Sequence, residues 1–179
     1  CRNAYLLAIY LTTSSSPSTI PRWQFMSCCV GWTLGFLGNV YHDELLNDLR
    51  RPADKRLVSV VELTNEKEDK KVGKGRYMIP RGGLFEFVSF PNYLCEWLEW
   101  TFFALASAPL TLSLSPTQRS HLPGPTAFWP AKLLTPPWMF VIFEISAMLP
   151  RALRGHGWYH DTFGVRYPIK RRAVVPWVL

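Results

Sequence analysis

Apolar residues in this chain collect into three runs, Trp23 to Val40, Leu94 to Leu114 and Pro137 to Leu149, and charge and proline collect between them. Long runs without strict alternation satisfy their own backbone best as helices, so the segregation predicts an all-α bundle rather than a sheet. Helices are expected near 23–41, 92–109 and 137–150, in an integral membrane arrangement. None of the runs is a charge-free stretch long enough to cross a bilayer unaided. Glu96, Glu99 and Glu144 must therefore sit inside a bundle rather than face lipid.

The stretch Tyr77 to Trp100, YMIPRGGLFEFVSFPNYLCEWLEW, carries the densest signal. Pro80 fixes its own φ, and Gly82 and Gly83 permit a positive one, so Ile79 to Gly83 reads as a rigid bend. A helix should follow Pro91. Along it Asn92, Glu96 and Glu99 share one face of an otherwise apolar segment. The helix that starts near Trp23 should continue past Asn39 to Arg50, and there Asn39, Asp43, Asn47 and Arg50 fall on one face. Spacing alone leaves two readings of that stripe open: a helix end becoming solvated, or a binding surface.

Composition removes several function classes. The net charge of +7 comes from basic residues in the loops and in the last thirty positions. They flank apolar runs, which suits membrane flanks or a phosphate-bearing ligand better than nucleic acid. The four cysteines show no CxxC spacing, so neither a zinc site nor a disulfide framework is expected. His156 and His160 are one helical turn apart, without the further ligands a metal site needs. There is neither a GxGxxG after a strand nor a Walker A sequence. The chain opens at Cys1 without a methionine and reads as a fragment. Residues 1–22 are expected to be the remnant of an upstream helix and a Ser-rich loop.

Two motifs carry a resemblance. IPRGGLFEFVSFPNYLCEWLEW and the tail HGWYHDTFGVRYPIKRRAVVPWVL resemble the C-terminal domain of the steroid 5α-reductase family, the membrane 3-oxo-5α-steroid 4-dehydrogenases. The parts occur in the family's order from near Asn39 to Leu179, so residues 23–179 are read as that domain. Two stretches exceed the family's usual connections: the Lys- and Glu-rich segment 52–76 and the Pro- and Ser-rich segment 109–136. In the tail, Ile169 follows Pro168 where the family commonly has a lysine.

The resemblance implies NADPH-dependent reduction of the carbon–carbon double bond of a 3-oxo-4-ene steroid or a related lipid. By family position Asn39, Asp43, Arg50, Tyr77, Asn92, Glu96 and Tyr159 line the NADPH site, and Arg171 belongs to the same terminal motif. The family's carbonyl-polarising acid and tyrosine lie in its N-terminal half, so the resemblance assigns no catalytic residue to this chain, and the chain alone is expected to be inactive. Alternatives of the same kind are a trans-2-enoyl-CoA or polyprenol reductase, or a non-catalytic membrane fragment.

Overall fold

In the computed structural model the described residues are 8–9, 11–12, 21–51, 55, 78–107 and 135–178. They form three long helices, α1 (Arg22–Arg50), α2 (Pro91–Ser107) and α3 (Pro136–Phe163). Two single 3-10 turns accompany them, Gly83–Glu86 ahead of α2 and Gly164–Arg166 behind α3. No strand is present among the described residues, only an isolated parallel bridge between Val88 and Arg172. The expected all-α class therefore holds. Among the described residues no helix is long and apolar enough to cross a membrane.

Proline sets where two of the helices begin. Pro91 and Pro136 occupy first helical positions, where the missing N–H would have had no intrahelical partner. The carbonyls of Phe90 and Thr135 accept the first helical bonds, from Leu94 N and Met139 N. α3 does not stop at Pro150, where the sequence suggested a boundary, but runs on to Phe163. Proline's fixed φ is itself helical, so the cost is one backbone bond and some crowding, about 3 kcal/mol. Packing beyond it compensates: Ala152 is fully buried, and Gly155 carries no Cβ where the Phe90 ring closes on the backbone. Gly164, at φ 53°, then ends the helix as a left-handed cap.

The chain divides into two compact units, each built from parts of all three helices. One comprises residues 1–36 and 96–147. Ala104, Trp138 and Val141 form its core, with Trp100, Leu105 and Ile145 packed around them. Trp100 meets Phe140 edge to face at 4.5 Å. A Cβ on Gly31 would lie 2.6 Å from the Phe102 ring, so glycine lets that ring rest on the α1 backbone.

The other unit comprises residues 37–95 and 148–179. Its core includes Leu45, Phe85, Val88, Tyr167, Ala173 and Val174. The C-terminal tail docks on the segment ahead of α2 through backbone bonds from Arg172 N to Phe87 O (2.9 Å), Ser89 N to Arg172 O (2.8 Å) and Phe90 N to Ala173 O (3.0 Å). Residues 83 positions and more apart in sequence are thereby fixed side by side.

Candidate functional site

The bend before α2 has the geometry its sequence required. Gly82 and Gly83 take φ values of 92° and 54°. A Cβ on Gly83 would lie 2.8 Å from His42 Nε2 and 2.9 Å from the Tyr41 ring. His42 is buried on α1 and both of its ring nitrogens are committed. Nδ1–H donates to Gly38 O at 2.6 Å, and Nε2 accepts from Leu84 N–H at 3.0 Å. This neutral histidine ties the bend to α1, one residue before Asp43.

Asp43 then reaches α2. Asn92 Nδ2 donates to Asp43 Oδ1 at 3.0 Å, while Asn92 Oδ1 is buried with no partner among the described residues. Of the α1 stripe, Asn39 is half-buried, and Asp43, Asn47 and Arg50 are exposed. Among the described residues the adjacent Arg51, not Arg50, forms the ion pairs at this end, with Glu44 at 2.8 Å and with the fully buried Asp48 at 2.9 Å. Glu96 is half-buried, one helical turn after Asn92 on α2. Tyr77 lies outside the described residues, as do segment 52–76, apart from its exposed Lys55, and nearly all of 109–136.

The tail supplies the second half of the site. Arg171 is 1% exposed, yet no carboxylate pairs with it among the described residues. Its Nη1 donates to Pro80 O at 3.1 Å, and its Nε and Nη2 are buried without partners among the described residues. The guanidinium lies over the Tyr167 ring, 5.1 Å from the centroid. Tyr167 in turn stacks on Tyr159 at 5.3 Å with the planes 12° apart. A buried cation with two unused donors costs several kcal/mol unless an anion completes it. The donor set suits such an anion, because a guanidinium edge offers paired N–H groups to a phosphate or carboxylate. Ile169 is exposed and makes no part of this arrangement.

The structure thus joins Asp43 to Asn92, and Tyr159 to Arg171 through Tyr167. Asn39 and Arg50 enter neither contact. Sequence reasoning did not pick out His42, Ser89 or Asp48. His42 and Ser89 lie in apolar or turn sequence with no periodic signal, and Asp48 lies off the predicted stripe, on the buried face that includes Leu45. No group of three or more His, Cys, Asp or Glu side chains able to hold a metal occurs among the described residues.

The family model for 3-oxo-5-alpha-steroid 4-dehydrogenase matches residues 1–113 and 128–179. The chain belongs to this family. Its curated relatives include an uncharacterized protein of Schizosaccharomyces pombe, 40% identical over 148 residues, covering 83% of this chain and 42% of that protein. The rat 3-oxo-5-alpha-steroid 4-dehydrogenase 1 is 32% identical over 179 residues, covering 99% of this chain and 51% of that protein. Steroid 5-alpha-reductase DET2 of Solanum lycopersicum is 36% identical over 104 residues, 58% of this chain and 31% of that protein. The chain spans about half the length of these relatives, or less. The family match leaves out residues 114–127, which fall within the Pro- and Ser-rich segment read as an insertion.

Proposed function

We propose that this chain forms the cofactor-binding half of an NADPH-dependent reductase that saturates the carbon–carbon double bond of a 3-oxo-4-ene steroid or a related lipid. The observation that carries the reading is Arg171: buried, without a carboxylate partner among the described residues, and with Nε and Nη2 unused. An anionic group of the dinucleotide completes that donor set. When bound, the reduced nicotinamide supplies the hydride for conjugate reduction of the enone.

This chain's own residues bind and orient. Arg171 neutralises phosphate charge, and Tyr159 with Tyr167 gives a flat aromatic surface beneath it. The unpartnered Asn92 Oδ1 accepts from a hydroxyl or amide of the ligand, and Asp43 holds the Asn92 amide in place. Glu96, Asn39, Arg50 and Tyr77 complete the set by family position. Glu96 and Glu99 bind or support and do not polarise the enone carbonyl.

The proposed setting is a membrane of the endoplasmic reticulum. Large apolar side chains are exposed along α1, among them Trp23, Phe25, Met26, Val30, Leu34 and Leu37, which supports lipid contact on that helix. The test of function is product analysis with NADPH and three candidate substrates, a 3-oxo-4-ene steroid, a trans-2-enoyl-CoA and a polyprenol, using the chain together with its family-type N-terminal half. Reduction of the steroid supports the reading. Exclusive reduction of either other lipid moves the substrate class, and turnover of none of them rejects the enzyme.

A further inference from the structure

Ser89 occupies the link between the 3-10 turn and α2 and is 2% exposed. Three polar groups converge on its Oγ: His156 Nδ1 at 2.6 Å, Tyr167 OH at 2.6 Å and Arg172 O at 3.1 Å. A serine hydroxyl has one proton to give and two lone pairs to receive with. The Arg172 carbonyl can only accept, so all three contacts are hydrogen bonds together only when the Ser89 proton goes there. Both remaining contacts are then hydrogen bonds only if Tyr167 O–H and His156 Nδ1–H donate to Ser89.

That proton arrangement has structural consequences. The Tyr167 phenol is pinned by its hydroxyl, and its ring is the layer between Tyr159 and the Arg171 guanidinium. The His156 ring packs edge-on against Tyr167 at 6.0 Å and against His160 at 4.6 Å. The Arg172 carbonyl that takes the Ser89 proton belongs to the residue after Arg171 and also accepts Ser89 N–H. One buried hydroxyl thus fixes both the aromatic layer under Arg171 and the backbone beside it.

We propose that His156, with its proton on Nδ1, and Ser89 are positioning residues that hold Tyr167 and the tail so that Arg171 and Tyr159 present a fixed surface to the anionic ligand. The inference rests on the assignment of Arg171 to that ligand, and the experiment separates the two. Two readouts are needed. In histidine-labelled protein at neutral pH, nitrogen NMR should show His156 protonated on Nδ1 and bare on Nε2. A proton on Nε2 with Nδ1 bare overturns the proposal regardless of any ligand.

The second readout is NADPH affinity at equilibrium. His156→Leu and Ser89→Ala each remove one hydrogen-bonding partner and should weaken binding about tenfold. His156→Asn should restore most of that loss, because its Nδ2 lies as many bonds from Cα as Nδ1 and keeps a donor there. In an Arg171→Met background the His156→Leu effect should shrink to about twofold or less, since positioning residues act through the group they position. An undiminished tenfold effect in that background overturns the positioning role and leaves the Arg171 assignment standing. No effect of Arg171→Met on affinity rejects the assignment itself. Should His156→Leu fail to fold, Ser89→Ala in the same cycle and the nitrogen spectrum still decide.

Discussion

Asn92 Nδ2 donates to Asp43 Oδ1 at 3.0 Å, joining α1 and α2 across 49 positions of sequence and leaving Asn92 Oδ1 buried and unpaired among the described residues. A buried acceptor without a donor destabilises the chain unless a ligand supplies one. Asn92→Leu should therefore cost little stability, within about 1.5 kcal/mol, because it also removes the orphaned oxygen. It should weaken NADPH binding about tenfold or more. Thermal melts and equilibrium binding on the same preparations check both halves.

Asp43 and Asn92 were each legible in the sequence through periodicity, but nothing there paired one with the other; that contact is a finding of the structure. Each residue lies on a polar stripe of an otherwise apolar helix, and such stripes must meet something polar. The Gly82–Gly83 bend was equally legible, since glycine takes φ values of 92° and 54° without the Cβ clash most other residues meet there. The partners of the bend were not. His42 follows an apolar run and carries no pattern that separates a committed core histidine from a solvated one. Ser89 and Tyr167 lie in turn sequence, where long-range docking of the tail, not local spacing, decides the contacts. The continuation of α3 through Pro150 was also hidden, because proline reads as a boundary until the packing beyond it is known.

The bend gives a direct stability prediction. Gly83→Ala adds a Cβ 2.8 Å from His42 Nε2 at a φ of 54°. The clash and the backbone strain together should destabilise the fold by about 1–3 kcal/mol. A melting temperature unchanged from wild type would show that the bend yields without loosening its hold on His42.

Stability should depend on pH through His156. Burial first, then the neighbouring His160, Arg171 and Arg172, holds its pKa below the ordinary histidine value. As pH falls, the unfolded chain takes up the proton before the folded one does. Stability is thus complete above about pH 6.5, falls as pH drops below that, and levels off below the lowered folded value. Burial lowers His42 in the same sense. Melting temperatures from pH 7.5 to 5 should decline in the wild type and decline less steeply in His156→Asn. Equal slopes would remove His156 as a source of the dependence.

Glu96 offers a test in which shape is kept and charge is lost. If its carboxylate holds the dinucleotide, Glu96→Gln should raise the NADPH concentration needed for half-saturation about tenfold while the melting temperature stays near wild type. An unchanged NADPH requirement would confine Glu96 to packing on α2.

The central claim is that the buried Arg171 guanidinium receives the charge of a phosphorylated dinucleotide. Its direct test is equilibrium binding of NADPH, by tryptophan fluorescence in lipid or detergent, to the wild type, Arg171→Lys and Arg171→Met. The account predicts saturable binding in the wild type, at least about a tenfold loss in Arg171→Lys because a point charge cannot replace the two-pronged donor, and a larger loss in Arg171→Met. Equal affinity in all three proteins would contradict it.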